Sequence, residues 1–151
     1  MKSILIIIML ALACSCAHID APRRVTTATY DAVDLYGMIP VKTIKEIDTG
    51  IVEYTINTIR TNNPDAYTAL SDSQRLDLTS YKRRYYPALN GGNPDEEIRV
   101  VNITLISDDY VAGFDWLHIP FIAFDGWIGL IYVRYDLKEK NFLSAHTGGL
   151  S

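Results

Sequence analysis

The chain has 151 residues, with 14 Lys and Arg against 18 Asp and Glu and a net charge of −4. That length suits one domain with its own core, and an acidic chain gains nothing from counterion release, which argues against nucleic acid as a partner. Its two cysteines both lie in the first sixteen residues, so the remainder has no thiolate nucleophile, disulfide or cysteine metal site.

The first sixteen residues carry the clearest local signal. Lys2 supplies a positive start, Ile4 to Ala13 an apolar run, and Ala11 and Ala13 the small residues of a secretory leader. The run falls short of the about 20 residues needed to span a bilayer, which disfavours a retained transmembrane anchor. Ala11-Leu12-Ala13-Cys14 and Ala13-Cys14-Ser15-Cys16 both resemble the lipobox of bacterial lipoproteins, where cleavage precedes a lipidated cysteine. The family prefers Leu three residues before that cysteine, and both stretches have Ala there. Cys14 is the favoured lipidation site and Cys16 the alternative. The resemblance implies a signal peptide over 1–13, a lipidated tether over 14–25 and a single domain over 26–151. It also implies stable anchoring, since two or more acyl chains hold a protein on a membrane. With Ser15 or Ala17 after the cysteine, the family's sorting convention points to the outer membrane, facing the periplasm.

Ala17 to Val25 lacks periodicity, contains Pro22 and reads as tether. Thr26 to Met38 reads as a short helix ending at Gly37. From Val41 to Thr61, Ile44, Ile47, Ile51 and Tyr54 recur at helical spacing, while Val52, Tyr54 and Ile56 alternate as in a strand. Length favours the helix, with Asp48 or Thr49 as its cap. Asn62-Asn63-Pro64-Asp65 breaks the chain, with Pro64 suited to the first turn of a second helix. Ser71 and Gln74 have capping-box spacing, and Leu76, Leu78, Tyr81 and Tyr85 extend a third helix towards Pro87. Asn90 to Pro94 is a loop. Strands are then expected over Ile98 to Ile106, Tyr110 to His118 and Trp127 to Tyr135, with a short last one at Phe142 to Ala145. Ser107 to Asp109 and Lys138 to Asn141 form the turns between them.

Helices followed by a strand meander give an α+β class. Asn63 to Ser71, with its acidic, Ala-Tyr, Leu-Ser order, and Asp125-Gly126-Trp127 resemble segments of NTF2-like and cystatin-like domains. The resemblance spans Val41 to His146. It implies N-terminal helices packed into the concave face of a curved antiparallel sheet of three to four strands.

Few residues suggest chemistry. In Tyr81-Lys82-Arg83-Arg84-Tyr85-Tyr86, three cations lie among three tyrosines, a set that suits an acidic partner, a phosphate head group or a glycan. The plainer reading is a helix with Tyr81 and Tyr85 inward and solvated cations. Tyr81, Arg83, Arg84 and Tyr85, together with Trp116 and Trp127, are the candidate ligand-binding residues. Asp115, His118 and Asp125 are the candidate acid–base residues of an NTF2-like enzyme, although an odd spacing on a strand puts Asp115 and His118 on opposite faces. His18, His118 and His146 are too dispersed for zinc, and the acidic runs lack calcium-loop spacing. No cofactor motif is present. The reading that follows is a non-catalytic, membrane-anchored lipoprotein that binds an envelope protein or a small apolar ligand. The alternatives are an enzyme working in a cone-shaped pocket and a purely structural envelope component.

Overall fold

The computed structural model describes residues 23–26, 31–88, 98–111 and 127–148. They form an α+β unit in chain order β1 (Arg23–Thr26), β2 (Asp31–Asp34), α1 (Val41–Asn62), α2 (Pro64–Asp72), β3 (Lys82–Pro87), β4 (Val100–Ile106), α3 (Asp108–Val111), β5 (Trp127–Asp136) and β6 (Asn141–Gly148). The sheet is six-stranded in the order β1 to β6. Neighbours are antiparallel except β2 and β3, which run parallel because α1 and α2 carry the chain back between them. The sheet is therefore mixed and wider than the three to four antiparallel strands expected.

The helix α1 forms because Ile44, Ile47, Ile51, Thr55 and Ile59 recur three or four residues apart and all drop into the core. Each buried isoleucine is worth about 1.5–3 kcal/mol, and four of them outweigh the strand preference of the β-branched residues. The helix begins at Val41 after Pro40, well before the expected cap at Asp48 or Thr49. Burial of Ile44 and Ile47 decides that start, and Asp48 ends up inside the helix. Asn63 closes α1 with its N–H on the Ile59 carbonyl, and its side chain accepts from the Ala66 N–H at 3.1 Å to open α2. Pro64 takes the first turn of α2, as expected.

The third helix does not form. Gln74 turns to φ 58°, and the N–H groups of Gln74 and Arg75 reach the carbonyls of Ser71 and Leu70. That is a Schellman-type stop on α2, so the expected capping box ends a helix instead of starting one. A 3₁₀ turn at Leu78–Ser80 follows, and then β3. A spacing of four, as between Tyr81 and Tyr85, satisfies a helix face and a strand face equally. Pro87 is tolerated because β2 stops opposite Tyr85, so no β2 partner awaits its missing N–H.

Residues expected as tether, Arg23 to Val25, pair instead with β2, and part of the expected helix over Thr26 to Met38 is β2 itself. The turn after β2 is organised by Asp34, which is fully buried. Its carboxylate accepts from the Ile39 N–H at 2.7 Å and from Arg23 at 3.0 Å. Gly37, at φ 67°, permits that turn. Tyr110 and Val111 belong to the single helical turn α3, not to a strand. β4, β5 and β6 lie where the first, third and last of the expected late strands were placed, with β6 reaching Gly148, and the rest of the expected strand to His118 lies outside the described residues.

The core lies between α1 and one sheet face, where Val101, Ile103, Leu105, Ile131 and Val133 meet the α1 isoleucines. On the opposite face Val33, Ile106 and Leu130 form a smaller cluster with Tyr132 and Tyr110.

Candidate functional site

Among the described residues, a shallow open groove of about 610 Å³ runs along α1, with Phe142 of β6 on one side. Its long wall is one stripe of the helix. Gly50, Glu53, Tyr54, Asn57, Thr58, Thr61 and Asn62 follow the three-and-four spacing that places residues on one side. This stripe lies beside the isoleucine stripe that fills the core.

Aromatic rings make the floor. Tyr54 and Phe142 stack with centroids 4.7 Å apart and planes 17° from parallel. Tyr135 supports Phe142 edge-on at 4.9 Å and 73°. Gly50 gives Phe142 room: a Cβ there would stand 3.2 Å from the Phe142 ring. Above the floor the wall is amide and hydroxyl, with Glu53 as the single charged lining residue. Thr61 donates its hydroxyl to the Asn57 carbonyl at 2.9 Å, which leaves its oxygen lone pairs available as acceptors.

Beneath α1 lies a second polar feature. The Tyr85 hydroxyl donates to Asp48, and the Arg83 Nε stands 3.3 Å from the same carboxylate oxygen. Arg83 also donates to the carbonyls of Tyr81 at 2.6 Å and Leu78 at 3.2 Å. Burial pushes the Asp48 carboxyl up to about 6 against the opposing pull of Tyr85 and Arg83. The same burial raises the Tyr85 hydroxyl well above its ordinary range. With side-chain exposures of 7% for Asp48 and 1% for Arg83, this cluster ties α1 to β3 and offers no approach to a substrate.

The structure separates the residues singled out from sequence. Arg83 and Tyr85 face α1 and are buried. Tyr81 is buried too, its hydroxyl donating to the Ile128 carbonyl at 3.1 Å. Arg84 points to the opposite sheet face in a cross-strand row with Thr104, Tyr132 and His146. Tyr132 and His146 stack there at 5.5 Å. The cluster thus splits between two faces because it is a strand, and its four named residues do not form one surface. Trp127 opens β5, paired with Gly148. Trp116, Asp115, His118, Asp125, Cys14 and Cys16 lie outside the described residues.

Sequence reasoning missed the groove. The available signals were a glycine in mid-helix at Gly50 and a polar stripe running to Asn62 beside the apolar one. Among the described residues, no three His, Cys, Asp or Glu side chains gather as a metal site. None of the described helices is long and apolar enough to cross a membrane. Comparison with family models, curated proteins and solved structures finds no match to this chain.

Proposed function

We propose that the chain is a membrane-anchored envelope lipoprotein whose α+β domain, NTF2-like or cystatin-like in character, acts as a non-catalytic binding module. The observation that carries the binding role is the groove between α1 and Phe142, with its stacked rings and polar wall. A few placed polar groups around an aromatic floor are the usual make-up of a recognition site. On the α1 side the sheet face is filled by isoleucines. The site therefore moves from the concave face to the outer flank of α1. The anchor rests on the leader and its cysteines, as lipobox-like stretches.

Two measurements test this reading. Mass spectrometry of membrane-extracted protein should show an acylated cysteine at the N-terminus, and Cys14→Ala, not Cys16→Ala, should release it from membranes. Cross-linking in intact envelopes should give a defined product that Asn57→Trp, which fills the groove, abolishes without loss of fold. An unmodified N-terminus would remove the anchor, and an unchanged product in Asn57→Trp would remove the groove as the binding face.

A further inference from the structure

The groove's composition narrows its ligand. We propose that it binds a neutral oligosaccharide, an inference that rests on the groove being the binding face of the module.

Three properties of the lining converge on that class. The floor offers ring faces, which are electron-rich and receive the polarised C–H groups on one side of a sugar ring. Tyr54 and Phe142 stack on each other, so the ring face that Tyr54 can offer is the one turned away from Phe142. The wall offers groups that both donate and accept, the amides of Asn57 and Asn62 and the hydroxyl of Thr58. Glu53 and the committed hydroxyl of Thr61 add acceptors. A sugar hydroxyl both donates and accepts, so it satisfies either kind.

Other ligand classes fit less well. Phosphates, sulfates and carboxylates need cations, and the groove lining contains none, its single charge being the carboxylate of Glu53. A wholly apolar ligand would strip water from Asn57, Asn62 and Glu53 and return no hydrogen bonds. An extended peptide needs main-chain partners on a strand edge, yet Phe142 is the one β6 residue in the lining. From Gly50 to Asn62 the stripe runs about 18 Å along the helix, long enough for several linked rings instead of one. Glu53, Asn57, Thr61 and Asn62 are exposed and Tyr54 half-buried, so the wall is reachable without rearrangement.

The test is an NMR titration of the full chain in detergent micelles with chitotriose, maltotriose and cellotriose. Penta-alanine and sodium phosphate serve as comparison probes. At least one trisaccharide should shift the amide signals of Gly50, Asn57 and Asn62 saturably, with a dissociation constant of about 0.1–1 mM, as suits an open groove with few contacts. Tyr54→Ala should weaken that binding about tenfold, and Asn57→Ala and Asn62→Ala about threefold to fivefold each. Because Tyr54 is partly packed, circular dichroism checks its fold, and the exposed Asn57 and Asn62 variants carry the test if it unfolds. Absence of any saturable shift with all three sugars overturns the proposal, as does equal affinity in the Asn57 and Asn62 variants. Binding of penta-alanine in place of sugars overturns the ligand class but leaves the binding module standing. If no probe binds and Asn57→Trp leaves the cross-linked product unchanged, both readings fall.

Discussion

Gly50 lies directly against Phe142, with 3.2 Å between an added Cβ and the ring's Cε2. Two effects oppose each other when that position is filled. Alanine gains about 1 kcal/mol over glycine inside a helix. The half-buried Phe142 ring must move a few tenths of an ångström to admit it. Gly50→Ala should therefore change the unfolding free energy by less than about 1 kcal/mol, read from urea midpoints. Gly50→Leu overpacks the same contact and should cost about 1–3 kcal/mol. If both variants were equally stable, the ring would not be held against the helix as described.

Asp48 predicts a pH dependence whose sign is opposite to that of a paired surface acid. Its folded pKa is about 6 against an ordinary 3.8. Between these values the folded state holds a proton that the unfolded state has lost. This group's contribution to stability is therefore full below about pH 4, declines as pH rises towards 6, and is constant above. The groups facing it are Tyr85 and Arg83 of β3. The decline should amount to at most about 3 kcal/mol, at 1.36 kcal/mol per pH unit. Urea melts at pH 4.5 and 6.5 should show it, and Asp48→Asn should flatten it. An Asp48→Asn profile as steep as the wild-type one would count against this assignment.

Arg83 answers Asp48 and two carbonyls from one buried position. Arg83→Met removes the cation and leaves the carboxylate to face burial alone. A loss of about 3–5 kcal/mol is expected. The Asp48→Leu, Arg83→Met double variant removes both charges and should recover part of that loss, leaving the carbonyls of Tyr81 and Leu78 without Arg83. A double-mutant cycle on unfolding free energies measures the coupling, and simple additivity would contradict it.

Asp34 should be sensitive too, to a smaller extent and for a different reason. It is fully buried and holds the Ile39 N–H and the Arg23 side chain at the turn into α1. Asp34→Ala leaves a buried N–H unsatisfied and should cost about 1–3 kcal/mol. It should also speed hydrogen exchange at Ile39. An exchange rate unchanged at that amide would show that the carboxylate does not carry the turn.

Much of the secondary structure was legible because some residues signal locally. The Ile44, Ile47, Ile51 and Ile59 stripe announces α1 at any reading of its start. Asn63 and Pro64 state a helix boundary in their own side chains, one as an acceptor and one by its fixed φ. The β-branched run of β4 reads as a strand because both of its faces are covered. The segment from Leu76 to Pro87 was misread for a physical reason, since a four-residue spacing of large side chains serves either conformation. β1 and β2 are four residues each, too short for any periodicity to show.

The groove was illegible in a deeper sense. Its wall is local to α1, but its floor needs Phe142, some ninety residues away in sequence from Tyr54 and Gly50. By itself the sequence determined α1, α2 and the strands β4, β5 and β6. These follow from periodicity and from side chains that act on their own backbone. The tertiary structure alone decided that Tyr81 to Tyr86 straddles a sheet, that Asp48 meets Arg83 and Tyr85, and that Phe142 borders a groove on α1. Those outcomes depend on which buried faces meet. Hydrophobic burial is non-directional, so partners distant in sequence are chosen by the whole core and not by the pattern of any one segment.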